Sequence, residues 1–287
     1  TPAQNSFSPE DAASFQPPVN VDQDVPTVGQ PNENRFALII GNEDYQSFQP
    51  SLSPEMNVEF ARADALMFRK YAENVLSVPS RNVLLVLDGT SAKMRQEIQK
   101  LSLISKNANG QVELFFFYAG HGVPDEVTKE SFLLPVDVNA AQPDQTLRLG
   151  DVLNQLAESN PIRLTAFVDA CFSGKARDAS PLAMRGVKIV PKPVQLKGNT
   201  VLFSASSSDQ PALPWRQAKH GIFTYSLLKN INLTKGNIQY SILAEKLQSE
   251  VNLQSLLLHN REQIPTIQTS PETGDSWKTW RLNSAKE

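Results

Sequence analysis

A single cysteine in 287 residues excludes an intramolecular disulfide framework and any zinc site built on several thiolates. Cys171 is thereby left as either a small buried hydrophobe or a reactive thiol. No apolar run approaches the roughly 20 residues needed to span a bilayer, so the chain carries no direct membrane segment. Neither sign of charge dominates. A net charge of -3 and a pI near 5.7 give no whole-chain reason to expect nucleic acid or an anionic membrane as partner. No Gly-x-Gly-x-x-Gly follows the first strand-like run, which sets dinucleotide binding aside, and there is no internal repeat.

What the chain does have is enough apolar material for a sizeable core, with 40% hydrophobic residues and 14 Phe. The length suits one α/β domain of about 250 residues with a tail. The tail is expected at residues 1–34, where Pro2, Pro9, Pro17, Pro18, Pro26 and Pro31 lie among Asn, Gln, Ser and Asp; this reads as a disordered or loosely attached linker or tail. A Pro-rich start at Thr1 rather than Met leads us to expect a processed form that is exported, periplasmic or at the cell surface.

The domain is expected over 35–287. Phe36-Ala37-Leu38-Ile39-Ile40 is a continuous apolar run, as in a strand covered on both faces. Residues 57–71 read as a helix with Phe60, Asp64 and Phe68 on one line, and a carboxylate in an apolar stripe requires a partner or a pocket. A strand follows at Val83–Leu87, then a helix from Ser91, its N-cap, to about Leu103. Strands at 112–117 and 163–169, a short strand at 131–135 and a helix at 151–156 come next. Beyond them lie a strand at Thr200–Ser204, helices at 222–228 and 238–253 and a strand at Thr266–Thr269. This β-α-β order predicts an α/β fold with a mostly parallel sheet and helices on both faces.

Two of these strands deliver chemistry. Tyr118-Ala119-Gly120-His121-Gly122 follows the first, and Asp169-Ala170-Cys171-Phe172-Ser173-Gly174 ends the second. Groups at the carboxyl ends of neighbouring parallel strands face one crevice, so His121 and Cys171 can meet there. A thiol attacks as the thiolate and needs a base; an imidazole supplies one and can return the proton to a leaving amine. Gly122 can present an unhindered backbone N–H to an oxyanion, with the Cys171 N–H as the second donor.

Together with Arg35–Asn42, Ala63-Asp64-Ala65, Leu134-Pro135-Val136-Asp137 and His220-Gly221-Ile222-Phe223-Thr224, these motifs resemble the caspase-like cysteine peptidases, closest to bacterial metacaspase-like members, from about Arg35 to about Leu282. The resemblance implies a caspase-haemoglobinase fold and a Cys171–His121 dyad that cleaves peptide bonds. Caspases that cleave after Asp have Gln two residues before the nucleophile, whereas metacaspases have an acid that recognises Arg or Lys. Asp169 stands there, and Asp64 falls where metacaspases place a second pocket acid, so cleavage after Arg or Lys is expected.

Three departures bear on this. Ala119 replaces a frequent serine, Ala61 stands where some members carry a second cysteine, and Trp215-Arg216 falls roughly where caspases bind an acidic residue, which keeps an Asp preference as the alternative. The basic, Pro-broken stretch 175–198 corresponds to the segment that many members cut, so self-processing there is expected. No cofactor is required. Calcium, which activates many metacaspases, is not expected here: Asp137, Asp151 and Asp178 fall near its ligand positions, but Gly150 replaces an acid, and no metal ligand is assigned. The partner is a peptide or protein substrate of a monomeric enzyme. The alternative from another class is a non-catalytic caspase-like scaffold or signalling module.

Overall fold

The computed structural model describes residues 17–139, 145–172, 190–207 and 210–283. Strand β1 (Arg35–Gly41) is the apolar run expected, and it leads into helix α1 (Ala61–Asn74). The helix starts later than its periodicity suggests. Phe60 takes a left-handed backbone (φ 70°) as its N-cap, so Asp64 and Phe68 lie on the buried face without Phe60.

Strand β2 (Val83–Leu87) and helix α2 (Ser91–Asn107) follow. The cap of α2 is Thr90, not Ser91: the Thr90 hydroxyl accepts the Lys93 N–H at 3.2 Å, while Ser91 lies one position inside. Next come β3 (Glu113–Ala119), β4 (Gly122–Pro124), β5 (Ser131–Leu133), β6 (Leu147–Arg148), helix α3 (Leu149–Ala157) and β7 (Arg163–Asp169). The chain continues through β8 (Thr200–Ser204), the short pair β9 (Pro214–Trp215) and β10 (His220–Gly221), helices α4 (Ile222–Thr234) and α5 (Tyr240–His259), and β11 (Thr266–Thr269). Residues 173–189, most of the expected processing segment, lie outside the described residues.

The main sheet has the order β11-β8-β7-β3-β1-β2; β1, β2, β3, β7 and β8 run parallel, and β11 is antiparallel at one edge. Alternation within each strand builds a core on either side. Ala37, Ile39, Phe115, Phe117 and Phe167 pack with Phe68 and Tyr71 of α1, Leu227 of α4 and Leu243 of α5. Leu38, Ile40, Leu114, Phe116 and Leu164 pack with Met94 and Ile98 of α2 and Leu153 of α3. Each fully buried Phe contributes roughly 1.5–3 kcal/mol, so the aromatic run of β3 anchors the sheet. This is the three-layer α/β arrangement that the sequence predicts.

The expected linker is corrected over 17–34. These residues run along the domain because their few apolar side chains find the groove between α1 and α4. Val21 is buried, the Tyr71 hydroxyl donates to the Val21 carbonyl (3.0 Å) and the Tyr225 hydroxyl to the Val19 carbonyl (2.9 Å).

Candidate active site

The pairing of β3 with β7 sets the site. Every paired position differs by the same offset, from Glu113↔Arg163 to Ala119↔Asp169, and the Gly120 N–H continues toward the Asp169 carbonyl at 3.3 Å. His121 and Cys171 each lie two residues beyond the last pair, so the register sends both to the same edge. Gly122 confirms the proximity of the two turns: a Cβ there would fall 2.7 Å from the Cys171 carbonyl oxygen and 2.6 Å from the Phe172 ring. Glycine is required at this position by close approach of the neighbouring chain.

His121 is held from three directions. Its N–H donates to the Tyr45 hydroxyl (3.0 Å), whose ring centroid lies 4.6 Å from the imidazole, and its carbonyl accepts from the Tyr118 hydroxyl (2.7 Å). The ring Nε2 lies 2.7 Å from the Met56 carbonyl. A carbonyl only accepts, so this contact puts the proton of a neutral imidazole on Nε2 and leaves Nδ1 as the base. The turn that presents Met56 is tied down by Asn57, whose Oδ1 accepts the N–H groups of Tyr45 (2.9 Å) and Gln46 (3.0 Å). Burial pushes the Tyr45 and Tyr118 phenols upward, so both remain neutral donors at ordinary pH.

Cys171 lies against the loop that leads into β9: the Ala212 N–H points at its sulfur across 2.7 Å, and the Ala212 carbonyl lies 3.6 Å away. His121 and Cys171 retain 9% and 7% exposure, whereas Asp169 and Asp64 have none, so the two acids lie deeper than His121 and Cys171.

The two acids converge on the N-terminus of α4. An Asp169 carboxylate oxygen accepts the Thr224 hydroxyl (2.7 Å) and N–H (3.3 Å), and Asp64 accepts the Gly221 N–H at 3.2–3.3 Å. Helix N-termini favour negative charge, so this end of α4 is a suitable place for carboxylate acceptors. Asp64 has a further partner. His220, itself 1% exposed, offers Nδ1 to Asp64 at 2.7 Å and Nε2 to Asp22 at 2.9 Å. The two carboxylates raise its pKa to about 9 against the lowering effect of burial, so it is an imidazolium at neutral pH.

The other sequence candidates lie elsewhere. Arg216 makes a bidentate ion pair with Glu59 (2.9 and 3.0 Å). Asp137 accepts the Ser91 N–H (2.8 Å) and exposed Asp151 pairs with Arg148 (3.2 Å), while Asp178 lies outside the described residues. Among the described residues no three His, Cys, Asp or Glu side chains gather in a way that would hold a metal ion. Sequence reasoning missed Met56 and Ala212, which act through backbone atoms and so leave no side-chain signal. It also missed Asp22.

A family model described as the caspase domain matches residues 34–275. The chain belongs to the caspase domain family of peptidases. Among solved structures, caspase-1 from Spodoptera frugiperda aligns at 16% identity with a TM-score of 0.56, covering 88% of this chain and 92% of that one, a likeness of fold. No curated protein matches the sequence. Membership in this peptidase family makes a peptide or protein the substrate and a thiol the nucleophile in general terms, and no helix among the described residues is long and apolar enough to cross a membrane.

Proposed function

We propose that this caspase-family chain is a cysteine endopeptidase in which His121 Nδ1 takes the proton of Cys171, and the thiolate attacks the scissile carbonyl. The developing oxyanion receives the N–H groups of Gly122 and Cys171. His121 then protonates the departing amine, and in the second half-reaction it deprotonates the water that hydrolyses the thioester. The Met56 carbonyl fixes the tautomer and stabilises the imidazolium formed in between. The observation that supports this reading is the constant β3–β7 offset together with the 2.7 Å His121–Met56 contact.

For specificity we read Asp169, with Asp64 beside it at the first turn of α4, as the acids that select Arg or Lys; an acidic side chain approaching them is repelled. An acid two residues before the nucleophile also favours the metacaspase-like branch of the family. Six basic residues between 175 and 198 then offer the enzyme its own segment as substrate.

Fluorogenic peptides ending in Arg, Lys or Asp, assayed with wild type and Cys171→Ala, test the reading. Turnover after Arg and Lys that is absent in the variant supports it. Turnover only after Asp transfers specificity to Arg216, and no Cys171-dependent turnover in folded protein favours the scaffold alternative. Self-processing is tested by intact mass: fragments in aged wild type but not in Cys171→Ala are expected, and identical masses refute it.

A further inference from the structure

The loop that touches the nucleophile is held by two glutamines that exchange bonds. Gln263, fully buried just ahead of β11, accepts the Leu213 N–H on Oε1 (2.9 Å) and donates Nε2 to the Ala205 carbonyl (3.0 Å), at the end of β8. Gln210, at the start of the same loop, accepts the Ile264 N–H on its Oε1 at 2.7 Å. Gln210 thus binds the backbone next to Gln263, and Gln263 binds the backbone three residues beyond Gln210. Between Gln210 and Leu213 lie Pro211 and Ala212, and the Ala212 N–H is 2.7 Å from Cys171 Sγ.

A backbone N–H aimed at sulfur favours the thiolate over the thiol, because the contact is strongest when the acceptor carries the charge. The Ala212 carbonyl, which would favour the thiol, is farther away at 3.6 Å. Which of the two faces sulfur depends on the orientation of one peptide segment, and neither Ala212 nor its neighbour Pro211 has a side chain that could fix it by hydrogen bonding.

We propose that Gln263 is a positioning residue for the nucleophile: by clamping Leu213 to the end of β8 it holds the Ala212 N–H on Cys171 and sustains the thiolate, with Gln210 as the second half of the clamp. This rests on Cys171 being the nucleophile, but not on any particular substrate.

The lone cysteine makes the test clean, since iodoacetamide alkylation followed by intact mass reports on Cys171 alone. The alkylation rate is measured against pH in wild type, Gln263→Met and Gln210→Met, with far-UV circular dichroism to establish folding. In wild type the midpoint lies below the ordinary thiol value of about 8.5. In each folded variant it rises by about half to one unit, which is a three- to tenfold fall in rate below the midpoint. An unchanged midpoint in folded Gln263→Met overturns the inference and leaves Gln263 a packing residue. Should Gln263→Met not fold, Gln210→Met decides in the same way. A wild-type midpoint at or above the ordinary value refutes instead the activated nucleophile on which the proposed function depends, so the two failures are distinct.

Discussion

Raising the pH from about 6 to about 10 should dismantle the Asp22–His220–Asp64 chain and weaken the attachment of the N-terminal segment. Both ring nitrogens of His220 face carboxylate oxygens, so the folded chain binds a proton that the unfolded chain holds only up to the ordinary histidine value. With the pKa raised from 6.5 to about 9, the linked stabilisation is about 3 kcal/mol. It is fully present below the unfolded value and is lost as pH rises through the folded one. Asp22 works in the opposite sense. His220, Lys70 and Lys219 lower its pKa, so its contribution is present above the usual carboxylate value and disappears as pH falls. Asp22 is also half-exposed, and solvent screens its share. Urea unfolding at a series of pH values, wild type against Asp22→Asn, reads the effect. The variant removes the outer carboxylate, lowers the His220 pKa and moves the loss of stability to lower pH, so the difference between the proteins should be greatest between the usual carboxylate range and neutrality and fade as pH rises toward about 9. A difference that stays constant across the range, or a His220 resonance that titrates near the ordinary value, would refute the reasoning.

Other consequences are open to direct measurement. Gly122→Ala places a methyl against the Cys171 carbonyl and the Phe172 ring; a folding cost of about 1–3 kcal/mol by chemical denaturation and a fall in kcat/KM of roughly 100-fold or more are expected. Tyr45→Phe takes away the acceptor of the His121 N–H, costing about 1–3 kcal/mol and about tenfold in kcat with KM nearly unchanged. In Asp169→Asn the amide oxygen can still accept from Thr224, so stability changes by only about 1 kcal/mol while turnover after Arg or Lys falls roughly 100-fold. Asn57→Ala loosens the turn that presents the Met56 carbonyl and is expected to lower kcat about tenfold and leave KM nearly alone.

The central strands β1, β3, β7 and β8 could be read from the sequence because they are parallel and buried on both faces, and so appear as apolar runs; the spans Val83–Leu87, Thr200–Ser204 and Thr266–Thr269 agree residue for residue. Helix ends were harder. The chain around Phe60 and Thr90 is fixed by a left-handed turn and a side-chain cap, which periodicity does not register. His121 and Cys171 could be paired because each ends a strand, and a shared offset becomes adjacency once those strands are neighbours. The groups that touch or support them were not readable. The Met56 carbonyl and Ala212 N–H belong to a backbone that any residue supplies, and Gln263 gains its meaning only from a contact 50 residues away. The packing of 17–34 was hidden for a related reason: a proline-rich composition suggests an unattached tail, yet Val21 is buried, Asp22 pairs with His220 and backbone groups of Val19 and Val28 bond to the domain.

In the proposed reaction Cys171, activated by His121, attacks the carbonyl of a residue with a basic side chain. Intact-mass analysis with a Lys- or Arg-terminated acyloxymethyl ketone peptide tests it most directly, because the chain has one thiol to modify. In wild type one inhibitor moiety should add, mapped to Cys171. Labelling should be at least about 100-fold slower in His121→Ala, undetectable in Cys171→Ala, and much weaker with an Asp-terminated probe. Equal labelling of wild type and His121→Ala, or no preference for the basic probes, would contradict it.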